Sequence, residues 1–452
     1  MTTQNQPKDS MFTIMLKPWI ICIIGMLFYC YNYFLRVSPG TMQADLTSTF
    51  HITATQFGAL TTFYYVAYDL MQIPAGILFD KFGTRITLFL ACLIAALGLS
   101  VFVAADTLGV AKAGRFLIGL GTAFSYIGVL KLASLWLPPN RFATVAGLTT
   151  ALGMTCGSLA QHHLTKVVET YGYQQALHTG VLVGVALSIA IFLIIRTQPA
   201  QNASRTNKMQ SPMNTKQLFN ALRIIVTNPQ MWLIGLIGAL LYLPALMFLD
   251  VWGRSYLKVV YHLNSADTAN MLSTVFFGWI LGGPVIGALS DKLKRRRTPL
   301  VISSAIAAFL LCLIFYCPGI NVTTLYIFFF ITGFCLGSHP LCFALGKENN
   351  PSRIAGTAVA VTNMLVMLGG TLQVIVGRLM DFHASGAIGE DGLPIYTSGD
   401  YTFALSVIPL GVAFGIILSM FLKETYCESQ AKESDEKAFA PASEMLPEGH
   451  SA

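Results

Sequence analysis

The sequence predicts an all-α membrane protein made of two six-helix bundles. Of its 452 residues, 54% are hydrophobic and 11% are charged, whereas soluble domains carry about 25% charged residues. Apolar runs of roughly 20 residues, the length of a helix that crosses a bilayer, recur along the whole chain. The stretch 76–85 also recurs at 287–296, with several residues in register. The composition therefore predicts the membrane class, and the repeat predicts two halves related by a pseudo-two-fold axis.

Twelve apolar runs follow one another, six on each side of a central polar stretch. No small-residue cleavage site follows the first run, so we expect it to remain as a helix and not to be removed as a signal peptide. Backbone polar groups in lipid must be hydrogen-bonded within their own segment, which predicts that every run is helical. The predicted spans are 18–39, 55–79, 86–105, 108–135, 142–166, 175–196, 230–250, 268–290, 299–317, 322–346, 354–380 and 401–422. They give an N-terminal bundle at 18–196 and a C-terminal bundle at 229–422.

Three polar segments flank and separate the bundles. Most of the 28 lysines and arginines lie in these segments or in alternate loops, and this bias predicts that both chain termini are cytoplasmic. The basic run 294–297 is then a topology anchor. A net charge of +7 could suggest a nucleic-acid partner, but the placement of the charges argues against one. The segments are a cytoplasmic N-terminus (1–17), a linker predicted to be flexible (197–228) and an acidic tail predicted to be disordered (423–452).

The repeated stretch lies where an apolar run meets a polar loop. Its first copy holds Gly76, Asp80, Lys81, Gly83 and Arg85, and its second copy holds Gly287, Asp291, Lys292 and Arg296. We expect Gly76 to let a neighbouring helix approach closely. Asp80 can pair with Arg85 or face the positive end of a helix. Lys294 replaces the glycine that matches Gly83, so we expect a less tight turn there. Such an element can act as a gate, or it can serve helix capping and topology alone.

These features resemble the major facilitator superfamily. The resemblance rests on the six-plus-six arrangement, on both loop copies, and on the segment 115–121, Arg-Phe-Leu-Ile-Gly-Leu-Gly, which is similar to the family's motif in helix 4. It implies a transporter that exposes a central site alternately to either side of the membrane. It also implies that Asp80, Arg85 and Asp291 latch one conformation, and that Arg115 takes part in proton coupling.

A polar stripe in the first helix is the first candidate binding site. Tyr29, Asn32 and Tyr33 precede Arg36 by seven, four and three residues, which places all four on one helical face. A guanidinium beside aromatic rings suits a carboxylate or phosphate group. The segment 33–36 also resembles helix 1 of the organophosphate antiporters, but helix 7 of this chain lacks the second arginine of that branch. The single arginine therefore favours one anionic group, such as an amino-acid or peptide carboxylate.

Asp69 is the second candidate, because a charge inside the membrane costs roughly 2.5–3.5 kcal/mol on insertion scales and usually serves a function. It precedes Asp80 by eleven residues, or roughly 16 Å along a helix, which places it near the bilayer midplane. We expect it to carry a proton, to pair with Arg36 or to anchor a substrate amine, and a structural salt bridge is the alternative. Arg115 is the other proton-coupling candidate, with helix packing as its alternative role.

The candidates in the second half are mostly neutral, with Asp250 near the outer end of helix 7. Tyr242, Asn363 and Gln373 are predicted to contact a polar substrate, although Asn363 and Gln373 can instead bond neighbouring helices. His339 is interpreted as a structural histidine beside a proline kink. No metal site is predicted, because no set of three ligands has the spacing of one. Nucleotide-binding loops and catalytic motifs are absent from the sequence, so we expect neither a cofactor nor an enzyme activity.

These observations predict a secondary active or facilitative transporter of a small polar solute, with proton coupling expected. The segments 36–39 and 72–76 resemble those of proteobacterial intraphagosomal amino-acid carriers and lysosomal dipeptide carriers, which favours an amino acid or short peptide. The alternatives are an organic anion or sugar phosphate, a nucleoside, a siderophore, or a non-transporting membrane receptor. The expected partners are the substrate, the lipid bilayer and protons. We expect a monomer in a bacterial plasma (inner) membrane.

Overall fold

The computed structural model describes residues 11–138, 141–196, 215–317, 319–351, 354–389 and 392–430. Every named element in these ranges is a helix. The α-helices are α1 (Met11–Thr41), α2 (Gln43–Phe50), α3 (Ala54–Val103), α4 (Leu108–Thr122), α5 (Phe124–Trp136), α6 (Phe142–Tyr171), α7 (Tyr173–Ile194), α8 (Thr215–Thr227), α9 (Pro229–Leu243), α10 (Gly253–Val260), α11 (Ser265–Leu293), α12 (Arg297–Tyr316), α13 (Val322–Leu336), α14 (Leu341–Glu348), α15 (Ala355–Met367), α16 (Gln373–His383), α17 (Ser398–Leu405) and α18 (Val407–Ser419).

Ten stretches of helix in the described part are long and apolar enough to cross a membrane. One of them, α3, is 50 residues long and contains two predicted spans that meet at Gly83, where φ is 75° and ψ is 164°. Only glycine adopts these angles readily, so the helical path breaks there. The 30-residue α6 covers the remaining predicted span, 142–166. The prediction of an all-α membrane fold with twelve spans is confirmed.

Several of the membrane helices are interrupted near their middle. α9 passes into a π-helical segment, Pro244–Trp252, before α10 begins. A 3₁₀ segment, Leu368–Leu372, joins α15 to α16. α13 ends at Leu336, and α14 begins at Leu341 immediately after Pro340, which has no backbone N–H to continue a helix. Interruptions of this kind release backbone groups from the helical pattern and are common at functional sites.

The chain packs as two units. One comprises Met1–Ser38 with Pro74–Pro212, and the other comprises Pro39–Ile73 with Met213–Ala452. The division passes through α1 and α3, so the first part of α3 packs among the helices of the C-terminal half. Of the predicted linker, 197–214 lies outside the described residues, and most of the remainder forms the helix α8.

In the second unit, α11 and α13 lie in backbone contact. A Cβ atom added at Gly278 would overlap the carbonyl oxygen of Phe330, and one added at Gly282 would overlap that of Phe334. On the facing helix, a Cβ atom at Gly333 would overlap the carbonyl oxygen of Val275. Small residues allow this approach between membrane helices, where van der Waals packing holds them together.

Large apolar side chains cover the outside of the helices. Leu70, Leu182 and Phe309 are 63%, 71% and 63% exposed. A surface with many such residues is unfavourable in water, but it matches the hydrocarbon interior of a bilayer.

The chain continues beyond α18 along the ends of other helices of the same unit. The Glu424 carboxylate accepts hydrogen bonds from the backbone nitrogens of Arg296 and Arg297, at 2.7 and 3.1 Å, where α12 begins. The Thr425 hydroxyl donates to Glu348, the last residue of α14. The first residues of the acidic tail are therefore held in place. The remainder of the tail that was predicted to be disordered, 431–452, lies outside the described residues.

Candidate functional site

Arg36 lies in α1, in the part of that helix that belongs to the first unit, and its side chain is buried. It is 6% exposed, and its guanidinium carbon is 5.1 Å from the centre of the Tyr33 ring. The Tyr29 ring meets Tyr33 edge-on, with centroids 5.2 Å apart. Both tyrosines pack against α6 at Gly153, where a Cβ atom would come within 2.7 Å of either ring. The predicted stripe thus places a buried cation beside aromatic rings, an arrangement that can bind an anion.

The two other polar groups of this region bond across helices. Asn32 donates to the Ser125 hydroxyl on α5 at 3.2 Å. Arg115 is 1% exposed, and its Nη1 donates to the carbonyl oxygen of Leu35 at 2.9 Å. Because Leu35 directly precedes Arg36, this bond fixes the backbone from which Arg36 extends. The arginine of the helix-4 motif, Arg115, therefore positions α1 through this contact.

Asp69 lies in α3 and belongs to the second packing unit. It is 6% exposed, and neither carboxylate oxygen has a hydrogen-bond partner among the described residues. Its neighbours on the same helical face are tied to other helices. Tyr65 donates to Asp250 at 2.6 Å, and Gln72 accepts from Asn363 at 3.1 Å. Asp69 is therefore a buried carboxyl group that the described surroundings do not satisfy, which is costly for a charge and suits a group that exchanges a proton.

The remaining candidates of the second half lie at the helix interruptions. Gln373, at the start of α16, is fully buried and donates to the carbonyl oxygen of Leu246 in the π-helical segment at 2.7 Å. Tyr242, at the end of α9, is 6% exposed and belongs to a cluster of rings. Asp250, a candidate expected near the outer end of helix 7, lies in the π-helical segment. Its bond to Tyr65 joins parts of the chain that are 185 residues apart, and no local sequence pattern indicates it.

The first loop copy forms a different ion pair from the predicted one. Asp80 pairs with Lys131 of α5 at 2.7 Å. Arg85 instead donates through Nε to the carbonyl oxygen of Phe192 at 2.8 Å and lies over its ring at 4.2 Å. The Asp80–Arg85 pair, one of the two contacts that the sequence suggested for Asp80, is therefore absent from this conformation. Phe192 thus offers Arg85 an acceptor in its carbonyl oxygen and a cation–π contact with its ring.

The second loop copy pairs internally and with α14. Arg296 bonds Asp291 at 2.5 Å and Glu348 at 2.8 Å. Burial works against the charge of Arg296, but the hydrogen bonds to Glu348 and Asp291 outweigh it and raise the pKa of this guanidinium. The sequence did not predict this role of Glu348. The one indication was an acidic residue at the end of a helix, on the side of the membrane where the arginine-rich loop is predicted to lie.

The glycines of the two copies are open to their surroundings. A Cβ atom at Gly76 or Gly287 would meet no atom of the described part of the chain within 4 Å, so the expected close helix contact at Gly76 is wrong. Lys81 lies over the ring of Phe82, and Lys292 lies in the last turn of α11. Within the described ranges, no group of three His, Cys, Asp or Glu residues could hold a metal ion.

Comparison with known proteins relates this architecture to a family. The sequence profile of the Major Facilitator Superfamily matches residues 21–374. The uncharacterized transporter YybO of Bacillus subtilis is 26% identical over 296 residues, 59% of this chain and 64% of that protein. The hexuronate transporter of Bacillus subtilis is 20% identical over 278 residues, 61% of this chain and 64% of that protein. The cis,cis-muconate transport protein of Acinetobacter baylyi is 25% identical over 395 residues, 85% of this chain and 90% of that protein. The first two matches thus span just under two thirds of those relatives.

A solved structure has the same fold. It is a bacterial homolog of the human lysosomal transporter Spinster, in an inward-facing and unoccupied conformation. It aligns with a TM-score of 0.69 and 16% sequence identity over 91% of this chain and 96% of that chain. The fold agrees with the profile, which matches most of the sequence. The chain therefore belongs to the Major Facilitator Superfamily.

Proposed function

We propose that this protein is a secondary active transporter that carries an organic carboxylate anion together with protons. The hexuronate and cis,cis-muconate transporters among its relatives support this substrate class by name. None of the relatives described above is named for an amino acid or a peptide. The organic-anion alternative therefore replaces the amino acid or short peptide that the sequence favoured. Family membership supports transport by alternating access. We also propose that the protein is a monomer in a bacterial inner membrane, with both termini cytoplasmic.

Arg36 is the observation that carries the proposal. A guanidinium that is 6% exposed inside an apolar helix has lost most of its hydration, and a carboxylate can replace that hydration with paired hydrogen bonds. The ring of Tyr33 lies against the guanidinium and attracts its charge, and Tyr29 packs edge-on against Tyr33. Arg115 holds the adjacent backbone through Leu35. Arg36 would therefore bind the anion, and Arg115 would position Arg36.

Asp69 would carry the coupled proton. Its buried carboxyl group has no hydrogen-bond partner among the described residues, so the neutral form is favoured unless a cation approaches. Asp69 would then take up or release a proton when a conformational change moves it between water-filled and dehydrated surroundings. The loop copies around Asp80 and Asp291 would act as the gates, because their ion pairs lie at helix ends and can break and re-form.

The test is uptake of labelled glucuronate and cis,cis-muconate by the purified protein in liposomes, with the outside more acidic than the inside. We expect saturable uptake that the pH gradient stimulates. Arg36→Ala should lower uptake at least tenfold, whereas Arg378→Ala, an exposed arginine of α16, should leave it unchanged. Asp69→Asn should keep exchange of internal for external substrate but lose the stimulation by the gradient.

The outcomes separate the alternatives. Specific binding of an organic anion without any flux would favour the membrane-receptor alternative. Flux that Arg36→Ala leaves intact would remove Arg36 from the site. Flux of amino acids in place of organic anions would return the substrate to the first expectation.

A further inference from the structure

Four rings form a cluster within the C-terminal half, and one of them is an imidazole. His339 stacks on Tyr242 of α9, with centroids 4.6 Å apart and planes 24° apart. Trp279 of α11 and Phe343 of α14 meet the imidazole at steeper angles, with centroids at 6.1 and 5.3 Å. Trp279 also meets Tyr242 edge-on at 5.5 Å. Three separate parts of the chain thus converge on His339.

The backbone holds His339 firmly in this place. It lies between α13 and α14, where Pro340 interrupts the helix. Two residues earlier, Gly337 packs so tightly on α11 that a Cβ atom would come within 2.5 Å of Gly282 and Gly283. The imidazole is therefore presented by a fixed turn, and its ring contacts leave it little freedom to turn away.

One nitrogen of the imidazole is buried without a polar partner among the described residues. His339 is 5% exposed, and its Nε2 atom has no hydrogen-bond partner among the described residues. Buried polar atoms in native proteins are nearly always hydrogen-bonded, because an unpaired one loses its interaction with water. A phenylalanine would fill the same space among the rings without that loss. A purely structural role therefore does not explain why this ring is polar.

We propose that Tyr242, Trp279 and His339 form a substrate subsite for the carbon skeleton and the second polar group of the transported organic anion. This inference rests on the proposed function. A neutral imidazole offers one donor and one acceptor, which suits a second carboxylate or a hydroxyl group. The faces of Tyr242 and Trp279 suit a flat, unsaturated or ring-shaped skeleton. The subsite would select acids with a second polar group over simple monocarboxylates.

The test compares two ligands that differ in one group. One is cis,cis-muconate, and the other is the 2,4-hexadienoate of the same double-bond geometry, which has a single carboxylate. We measure their dissociation constants for the purified full-length protein by calorimetry. The wild type should bind muconate at least tenfold more tightly than the monocarboxylate. His339→Phe should remove most of that preference by weakening muconate alone, and His339→Gln, which keeps a donor and an acceptor, should retain it within about threefold.

Phe343→Leu is the matched control, because it alters the same ring cluster without touching a polar group, and it should keep the preference. The inference is overturned if His339→Phe binds both ligands as the wild type does. If His339→Phe does not fold, His339→Gln provides the test. Loss of the preference for muconate in that variant would contradict the inference. If the wild type transports organic anions but shows no preference for the dicarboxylate, this subsite is refuted while the proposed function stands. If the wild type neither binds nor transports an organic anion, the subsite and the proposed function are both refuted.

Discussion

Gly83 and Lys294 occupy matching positions in the two loop copies, and both have a positive φ, 75° and 50°. Their ψ angles differ, 164° against 38°. The first pair of angles is essentially restricted to glycine, whereas the second is the left-handed helical region that other residues enter at a cost. The sequence therefore predicted a turn at Gly83 and a less tight one at Lys294, but it did not predict that Lys294 would enter the left-handed helical region. Nor could it show which glycines touch a neighbour, because spacing alone does not orient a helix face.

Substitutions at these two positions should have opposite effects. Gly83→Ala should destabilise the protein by about 1–3 kcal/mol, because alanine is strained at these backbone angles. Lys294→Gly should leave the stability unchanged or raise it slightly, since glycine relieves the left-handed strain while it loosens the unfolded chain. Thermal unfolding of the purified protein in one detergent measures both. Equal losses in the two variants would contradict this account.

At the scale of whole helices, α3 begins under a cap supplied by a distant part of the chain. Asp381 of α16 accepts hydrogen bonds from the Thr53 hydroxyl at 2.8 Å and from the Thr55 backbone nitrogen at 3.0 Å. The hydroxyl of Tyr396 donates to Asp381 and accepts from the backbone nitrogen of Ala54. Burial, and then the bond to Asp381, raise the pKa of Tyr396, so it stays a neutral donor. The apolar runs predicted both helices, but a cap from 326 residues away leaves no local pattern.

Removing this carboxylate should loosen the start of α3 specifically. Asp381→Ala should speed hydrogen exchange of the amides at 54–57 about fivefold or more, because a negative cap at a helix N-terminus typically contributes about 1 kcal/mol. Asp400→Ala is the matched control, since Asp400 caps α17 through Thr397. It should loosen α17 and leave α3 unchanged. Unchanged exchange at the start of α3 in Asp381→Ala would mean that other groups hold that end.

At the scale of the molecule, the two halves repeat a loop but hold it differently. In the first half, Asp80 and Lys131 form a pair whose side chains are 48% and 36% exposed. In the second half, Arg296 and Glu348 are only 11% and 12% exposed, and Glu424 closes the same region from the tail. The repeat in the sequence correctly predicted the pseudo-symmetric fold. It did not predict this asymmetry, because the partners Lys131 and Glu348 lie outside the repeated stretch.

The asymmetry predicts that the first loop opens more easily than the second. Asp80→Asn should cost less than about 1 kcal/mol of stability, with little left of the effect at high salt, because exposed ion pairs contribute little and are screened. Glu348→Gln should cost about 2 kcal/mol or more and should depend less on salt, since within the described residues it leaves the shielded charge of Arg296 with only Asp291 as an ionic partner. Unfolding midpoints of both variants at low and high salt measure the two losses of stability and their dependence on salt. If Asp80→Asn lowers the stability as much as Glu348→Gln does, the two ion pairs are equally strong, and the first loop does not open more easily than the second.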